Sequence, residues 1–396
     1  MGKLALLAVL LLGVVPGKAS LSFPDVGVVA GVPSTATVSV KPGPVRVLFS
    51  SGAKRVSVRA RKSTLRFVLP RPGAWRYRIL VRGRVAGTGS VRARAASLPG
   101  ARPYAVCAAA GAFWPAMTLA AGFDSLWLAC KSQSRILRLD PASGAVRVRI
   151  RFPAAAEIAA VATGLGSVWA LDAQRGTLYR IDPGRNAVVR SVLLGTSRAY
   201  NIWIGAGSVW VVDDGAGELM RIDPAGGAID RIAVGDGPSD LVFEGGSAWV
   251  VNHRDRGLVR IDIATRRVTR LRTLPGDATE RMVRAGGSLW ITGRGTDLLR
   301  VDETTGVVLA TIDVDASGID LVAAGDTIWI PTRSAAVDPS GLPTMARLLR
   351  VHAGARSAEP VATPTGRLDV NGLVTNDDAV WLADNTNGVL YRVPAG

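Results

Sequence analysis

Charged and amide side chains recur at one position of a repeated segment, nine residues before a tryptophan. Asn201, Asp240 and Asp320 stand at this position, and Arg281 stands there in the repeat between the two aspartates. Carboxylate and amide oxygens are the ligands that Ca²⁺ prefers in proteins, and buried carboxylates need a metal or a cationic partner. The row therefore predicts neutralisation of both aspartates by Arg281, a Ca²⁺ or Mg²⁺ ion held by Asp240, Asp320 and Asn201, or an organic ligand.

A second row of polar side chains stands three residues after the same tryptophans. Both rows lie at strand ends that meet on one face of the predicted repeats, so we expect them to line a common opening. We predict that the second row, together with polar neighbours of the first, binds a ligand there. The residues added in this way are Tyr200, Asn371, Asp172, Asp213, Asn252 and Asp384.

Acid–base catalysis has few candidates, because the chain contains only two histidines. His253 follows the second-row residue Asn252 and, together with Glu280, is the candidate for proton transfer at the opening. His352 replaces an aspartate that ends a strand in other repeats, so we expect it on the opposite face. No Ser-His-Asp or Cys-His arrangement supports nucleophilic catalysis. The residue types therefore favour binding and leave an enzymatic role open.

The tryptophans that define the repeat are separated by 42, 41, 39, 41, 39 and 52 residues. A period near forty with short apolar strands and Gly or Asp turns is typical of a β-propeller blade. We therefore predict an all-β protein whose residues 103–396 form a seven-bladed β-propeller. The seven tryptophans are Trp127, Trp169, Trp210, Trp249, Trp290, Trp329 and Trp381.

Two further signatures accompany each tryptophan, and both are interpreted as structural. In the second repeat Gly166 and Ser167 precede Trp169, while Arg180 and Asp182 follow it. Glycine suits a tight turn with positive φ, and an aspartate before proline begins a turn. The predicted blade has four strands, which in this repeat cover residues 158–163, 167–171, 177–182 and 187–193.

The last repeat ends at Val393 after only three strands. Counting back from Trp127 places a fourth-strand segment at residues 103–108, ahead of the first repeat. We predict that this segment completes the last blade and closes the ring. Cys107 and Cys130 would then lie at the same rim. An even cysteine count in an exported chain favours one disulfide over two free thiols or a metal pair.

Residues 1–19 are typical of an export signal, with Lys3, an apolar run from Leu4 to Val15 and a small-residue cleavage site. The apolar run is shorter than the ~20 residues that cross a bilayer. No other apolar stretch is long enough for a transmembrane segment. We therefore predict a secreted, extracytoplasmic protein of the cell envelope.

Residues 22–100 carry the excess of positive charge. The whole chain has a formal net charge of +17, and sixteen Lys or Arg residues lie between Leu21 and Arg102 against Asp25 alone. Polar and apolar residues alternate along this segment, which favours a small antiparallel, immunoglobulin-like β-sandwich with one solvated face. Such a face is either a solvated surface of an arginine-rich chain or a binding surface for an anionic envelope component, such as a cell-wall polymer, lipid head groups or an acidic protein. Nucleic acid is not expected, because no nucleic-acid-binding motif is present.

The sixth repeat contains about ten extra residues within 334–345. They fall in the loop between the second and third strands, on the face that carries the polar rows. Added loops on such a face often bind ligands. A tolerated insertion is an equally good interpretation.

The unit Gly-Ser-Val-Trp followed by Tyr-Arg-Ile-Asp-Pro, as in Gly166–Trp169 and Tyr179–Pro183, resembles bacterial propellers grouped with YVTN and NHL repeats and with streptogramin (virginiamycin B) lyase. The resemblance covers roughly residues 103–396 and implies the propeller fold. It also implies, for a lyase, His and Glu residues around Mg²⁺ at the channel mouth. Propeller lactonases are similar in using carboxylate and amide ligands there. This chain departs from the lyase pattern because only His253 is suitably placed.

Two functional hypotheses follow from these observations. The first is an exported recognition or scaffold protein that binds a protein, peptide or glycan at the top face of the propeller. The alternative is a metal-dependent enzyme, lyase-like or lactonase-like, acting at the channel mouth. Because fold alone does not fix function, the residues at the mouth must decide between them.

Overall fold

The computed structural model divides the chain into two compact units, Met1–Ala96 and Ser97–Gly396. In the part of the chain that it describes, no helix is long and apolar enough to span a bilayer. The predicted export signal lies outside the described residues, apart from Ala19. The structure describes residues 19–22, 28–29, 34–39, 44–60, 64–67, 69, 73–94, 97–107, 117–130, 133–152, 156–277, 280–315, 317–318, 320–333, 345–364, 368–376, 378–385 and 388–395.

The first unit consists of two β-sheets that share one core. Their inward side chains include Val47, Leu65, Trp75 and Ile79, all of which are fully buried. Phe49 of the larger sheet stacks on Phe67 of the smaller one, with ring centroids 4.8 Å apart. In hydrogen-bonding order the sheets contain Ser20–Ser22, Ser34–Ser39 and Thr64–Phe67, and Val28–Val29, Arg84–Arg94, Gly73–Val81, Val45–Ser51 and Lys54–Arg59.

The second unit is a β-propeller built from antiparallel sheets that repeat along the chain. Its first five sheets each contain four consecutive strands in simple up-and-down order. In chain order they comprise Met117–Gly122, Ser125–Cys130, Arg135–Leu139 and Val146–Arg151; Ile158–Gly164, Ser167–Asp172, Thr177–Asp182 and Ala187–Leu193; Ala199–Gly205, Ser208–Asp213, Glu218–Ile222 and Ile229–Ala233; Pro238–Glu244, Ser247–Asn252, Gly257–Asp262 and Val268–Thr273; and Arg281–Ala285, Ser288–Thr292, Asp297–Asp302 and Val308–Asp313.

Two further sheets complete the described part of this unit. The sixth has its innermost strand split in two, and the seventh takes its outer strand from the start of the unit. The sixth contains Ser317–Gly318, Val322–Ala324, Thr327–Arg333, Met345–His352 and Glu359–Ala362, and the seventh contains Val370–Asn376, Ala379–Asp384, Val389–Pro394 and Arg102–Ala105. The extra residues of the sixth repeat, apart from Met345, lie outside the described residues.

The sheets follow one another around an axis. The innermost strand of each sheet contacts that of the next, and Met117–Gly122 of the first sheet also contacts Val370–Asn376 of the seventh. The innermost strands therefore surround a central channel. Apolar side chains pack between neighbouring sheets, and all seven repeat tryptophans are 1% exposed or less.

The tryptophan and the Arg-x-Asp signature belong to one structural unit. In the third sheet Arg221 stacks on Trp210, with its guanidinium carbon 5.5 Å from the ring centroid, and its Nε donates to Ser208 Oγ at 2.9 Å. The same stack occurs in six of the described sheets, and the arginine–serine bond occurs in five. Asp223 accepts hydrogen bonds from Ala225 N and Gly226 N, and these bonds lower the pKa of its carboxyl. Both signatures thus stabilise the sheet.

The propeller ring is closed by strand pairing and by a disulfide. Arg102–Ala105 pairs antiparallel with Val389–Pro394, the last strand of the chain. Just beyond it, Cys107 forms a disulfide with Cys130 at the end of the second strand of the first sheet, with the two Cα atoms 5.9 Å apart. The predicted disulfide is therefore confirmed, and it joins the seventh sheet to the first.

Candidate ligand-binding site

A cavity of about 850 Å³ occupies the channel. Its wall comes mainly from the innermost strands, at positions ten to six residues before the repeat tryptophans. Polar groups gather in the sector of the third to sixth sheets, while Leu119, Ala159 and Val161 form an apolar sector opposite. The polar wall residues used below are Tyr200, Asn201, Trp203, Asp214, Asp240, His253, Glu280, Arg281, Arg294 and Asp320.

The carboxylate of Asp240 is buried in this wall and fully engaged by donors. Its Oδ1 accepts from Trp203 Nε1 at 2.9 Å and from Leu241 N at 2.7 Å, and its Oδ2 accepts from Met282 N at 2.9 Å. Burial raises the pKa of Asp240 to about 6, although Arg281 and the backbone donors act in the opposite direction. Asp240 thus links three neighbouring sheets.

Arg281 lies between the two aspartates of the first row. Its Nε is 3.5 Å from Asp320 Oδ1, and its Nη1 donates to the Glu280 carbonyl at 3.0 Å. Burial lowers the pKa of Arg281, but the charges of Asp320, Asp240 and Glu280 outweigh this effect and raise it overall. The side chain of Arg281 is 32% exposed and that of Asp320 is 22% exposed, so both reach the cavity. Arg281 therefore pairs directly with Asp320, and its charge also lowers the pKa of Asp240.

First-row side chains share a local hydrogen bond that explains their residue type. Asn201 Oδ1 accepts from Ile202 N at 3.0 Å, and Asp320 Oδ1 accepts from Leu321 N at 2.9 Å, as Asp240 does from the amide that follows it. The pairing register shifts beside Asn201 and Asp240, which marks a β-bulge. Bulges redirect side chains at a sheet rim. Here the backbone amide that follows each bulge donates to the side-chain oxygen of Asn201 or Asp240.

The second row does not line the cavity in the described structure. Asp172, Asp213, Asn252 and Asp384 are buried at strand ends, where they bond to neighbouring backbone. Asp213 Oδ1, for example, accepts from Gly215 N and Ala216 N. The expectation that this row opens into the mouth is therefore wrong. The side chain of Asn371 lies outside the described residues.

The residues one position further along, four after the tryptophan, line the mouth instead. They are Ala173, Asp214, His253 and Arg294. Successive side chains in an extended segment point to opposite sides. An error of one residue therefore assigns buried side chains to the cavity wall and wall side chains to the core. One indication of the correct position was available in the sequence, because His253, which was predicted to reach the opening, lies four residues after Trp249. Trp203, which has no counterpart at its position in the other repeats, was also missed.

Each of the two acid–base candidates lies beside a side chain that carries charge. Glu280 Oε1 accepts from Arg294 Nε at 2.6 Å. His253 Nε2 lies 3.8 Å from Asp214 Oδ1, and Asp214 Oδ2 accepts from Arg254 Nη2 at 2.6 Å. Oδ1 of Asp214 is buried and has no hydrogen-bond partner among the described residues. His253 and Asp214 therefore form a loose pair at the cavity mouth, and Glu280 pairs with Arg294.

The first row does not have the geometry of a cation site. Asp240 uses both oxygens to accept from N–H donors, and Asp320 faces the guanidinium of Arg281. Among the residues that the structure describes, no group of three or more His, Cys, Asp or Glu is arranged to hold a metal ion. Asp240, Asp320 and Asn201 therefore do not fit Ca²⁺ or Mg²⁺ in this arrangement.

The second unit is similar to solved β-propellers. Virginiamycin B lyase from Staphylococcus aureus superposes with a TM-score of 0.60 at 14% identity, covering 71% of this chain and 94% of that one. A streptogramin B lyase gives 0.58 at 17% identity, covering 70% and 93%. The propeller domain of Cps50 (Swd1) from Myceliophteria thermophila gives 0.58 at 11% identity, covering 75% and 100%.

At these identities the likeness concerns the fold, since lyases and a protein of the Swd1 type match equally well. No family model matches the sequence, and no curated protein matches it. The resemblance to lyase-like propellers is therefore confirmed at the level of architecture.

Proposed function

We propose that the chain is an exported seven-bladed β-propeller, preceded by an immunoglobulin-like sandwich, that binds a protein, peptide or glycan at the mouth of its central cavity. The observation that carries this proposal is the wall of the cavity, where Asp240, Arg281 and Asp320 are held by backbone amides and by one another. Fixed charges beside apolar walls orient a ligand without taking part in chemistry. The Cys107–Cys130 disulfide supports an extracytoplasmic location.

The basic first unit supports a second contact. Its charge suits an anionic component of the envelope, which would hold the propeller near its ligand. Under this proposal the two units bind different partners.

A substitution that obstructs the mouth tests the propeller's role. Ala173 is half-buried and lines the cavity, whereas Ala264 is exposed in a turn between the third and fourth strands of its sheet. The probes are peptides selected against wild type from a displayed random library and glycans that bind wild type on an array. They should bind wild type and Ala264→Trp equally. Ala173→Trp should weaken binding at least about tenfold, because the indole occupies ligand space. Equal binding by both variants would place the ligand elsewhere.

A lyase is the second candidate, supported by the names of two similar structures and by the His253–Asp214 pair. Imidazole is the side chain most often used for general acid–base catalysis, and His253 lines the mouth. The test is incubation of the protein with a streptogramin B, with and without added Mg²⁺, followed by mass spectrometry. A product lost in His253→Ala would support the lyase, and unchanged substrate would leave the binding role.

A further inference from the structure

The five-stranded sheet of the first unit has one face covered with arginine. Along Gly73–Val81 the side chains of Trp75, Tyr77 and Ile79 are buried, while Arg76 and Arg78 between them are exposed. The neighbouring strands follow the same alternation. The exposed arginines of this face are Arg46, Arg55, Arg59, Arg76, Arg78 and Arg92, and we call them the arginine face.

Strand register places these arginines in rows with hydroxyl side chains between them. Ser50 pairs with Arg55 on one side and with Arg76 on the other, and Arg76 pairs with Ser90 on the next strand. In the adjacent row Arg78 pairs with Thr88. Same-side residues on a strand are about 7 Å apart, and neighbouring strands are about 5 Å apart. The face is therefore an open lattice of guanidinium and hydroxyl groups, with Leu48 and Leu80 among them, rather than a pocket.

The described residues of this unit include no carboxylate that could balance the lattice. Asp25 is its single acid in the sequence and lies outside the described residues. No ion pair is found for Arg46, Arg59, Arg76 or Arg78 within the described ranges, although Arg55 Nη1 donates to the Gly52 and Lys54 carbonyls. Like charges at these spacings repel one another, so an anion at the face is strongly favoured.

Arginine and the spacing of the rows indicate the kind of anion. A guanidinium binds phosphate oxygens through two parallel N–H bonds, and serine or threonine hydroxyls add further donors. A lattice with repeated, separated donors fits an anion that also repeats, whereas a single phosphate would engage one point of it. Leu48 and Leu80 on this face are half-buried, and Val85, which pairs with Leu80 at the edge of the face, is 56% exposed. One exposed valine gives the described face little apolar surface for insertion into a bilayer.

We propose that the arginine face binds a linear, phosphate-bearing polymer, with successive phosphates bound by successive arginines. This deepens the proposed contact with an anionic envelope component and is independent of the ligand in the propeller cavity.

The test is binding of purified full-length protein to long-chain inorganic polyphosphate, measured by fluorescence anisotropy over a range of salt concentrations. Arg76→Gln/Arg78→Gln removes two charges from the face. Arg82→Gln/Arg84→Gln is the matched control, because it removes two exposed charges from the turn at the end of the same sheet. We expect the face variant to bind at least about tenfold more weakly, with the salt slope reduced by about two. The control should change less than about threefold.

Three results would overturn the proposal. One is equal weakening by both variants, which would indicate general charge attraction. Another is competition by orthophosphate at the same phosphate concentration, which would indicate a single-anion site. The third is equal affinity, per phosphate, for phosphatidylglycerol vesicles with the same sensitivity to Arg76→Gln/Arg78→Gln. Circular dichroism checks that each variant is folded. Ala173→Trp should bind the polymer as wild type does, so failure of the cavity proposal can be distinguished from failure of the arginine-face proposal.

Discussion

Asp240 accepts a hydrogen bond from the backbone amide of Met282 at 2.9 Å, across the boundary between the fourth and fifth sheets. Asp320 also receives a hydrogen bond from an amide of the following sheet, that of Leu373, beside the bond from its own neighbour Leu321. Asp240 and Asp320, which the sequence suggested as metal ligands, thus connect neighbouring sheets. The energetic consequences of this connection can be measured.

The buried carboxyl of Asp240 should make stability depend on pH in mildly acidic solution. Its pKa is raised to about 6 in the folded chain, against about 3.9 when unfolded. The folded state therefore binds more protons, and the contribution to stability is complete below about pH 4 and lost as pH rises through about 6. Urea unfolding of wild type and Asp240→Asn should show a free-energy difference that changes by roughly 1–3 kcal/mol in this window. A constant difference would mean that Asp240 does not titrate there.

The indole of Trp203 should hold the pKa of Asp240 down. Its Nε1 donates to Oδ1 at 2.9 Å, and such a bond favours the ionised form. In Trp203→Phe the pKa of Asp240 should rise, which moves the window of pH-dependent stability to higher pH. The measurement is the same unfolding series, with Trp203→Phe/Asp240→Asn as control. The double variant should show no such window.

The disulfide should contribute substantially to stability because it closes the ring as well as a local loop. Its loop spans a sequence separation of 23 residues, for which chain entropy predicts about 3 kcal/mol. Cys107→Ser/Cys130→Ser should unfold at correspondingly lower urea concentration than wild type. Reductant should lower wild-type stability and leave the double variant unchanged. An equal response of both proteins to reductant would contradict the assignment.

The arginine that stacks on six of the repeat tryptophans should not be replaceable by lysine. Arg221 stacks on Trp210 and also donates to Ser208 Oγ, and an ammonium cannot reproduce this planar, two-partner geometry. Arg221→Lys should cost about 1–2 kcal/mol in urea unfolding. Arg267→Lys, at an exposed turn, is the matched control and should change stability by less than about 0.5 kcal/mol. Equal effects would deny the stack a role.

The architecture was predictable because its determinants are local and repeat. The strands predicted for the second repeat at residues 177–182 and 187–193 coincide with Thr177–Asp182 and Ala187–Leu193. Tryptophan, arginine and turn aspartate recur because most of the described sheets use the same stack and the same turn. Because the period occurs seven times, the strand positions predicted for one repeat are supported by the equivalent positions in the others.

The site was only partly predictable, because it depends on side-chain direction at irregular backbone. The first row was placed correctly at the cavity, but the second row was displaced by one residue at strand ends, where Asp213 bonds into its own turn and Asp214 faces the opening. Trp203 breaks the repeat and carries no periodic signal. Its bond to Asp240 depends on the approach of two sheets, which a single sequence does not specify.

Ring closure has a consequence for synthesis from the N-terminus. Cys107 and Cys130 both emerge long before Val389–Pro394, so their bond can form while the last blade is still missing. Oxidation then tethers Arg102–Ala105 beside the first blade, with one edge open for Val389–Pro394, which is synthesised later. The disulfide can therefore hold the outer strand of the seventh sheet in position in advance. Val389–Pro394 then pairs with a strand that is already in place.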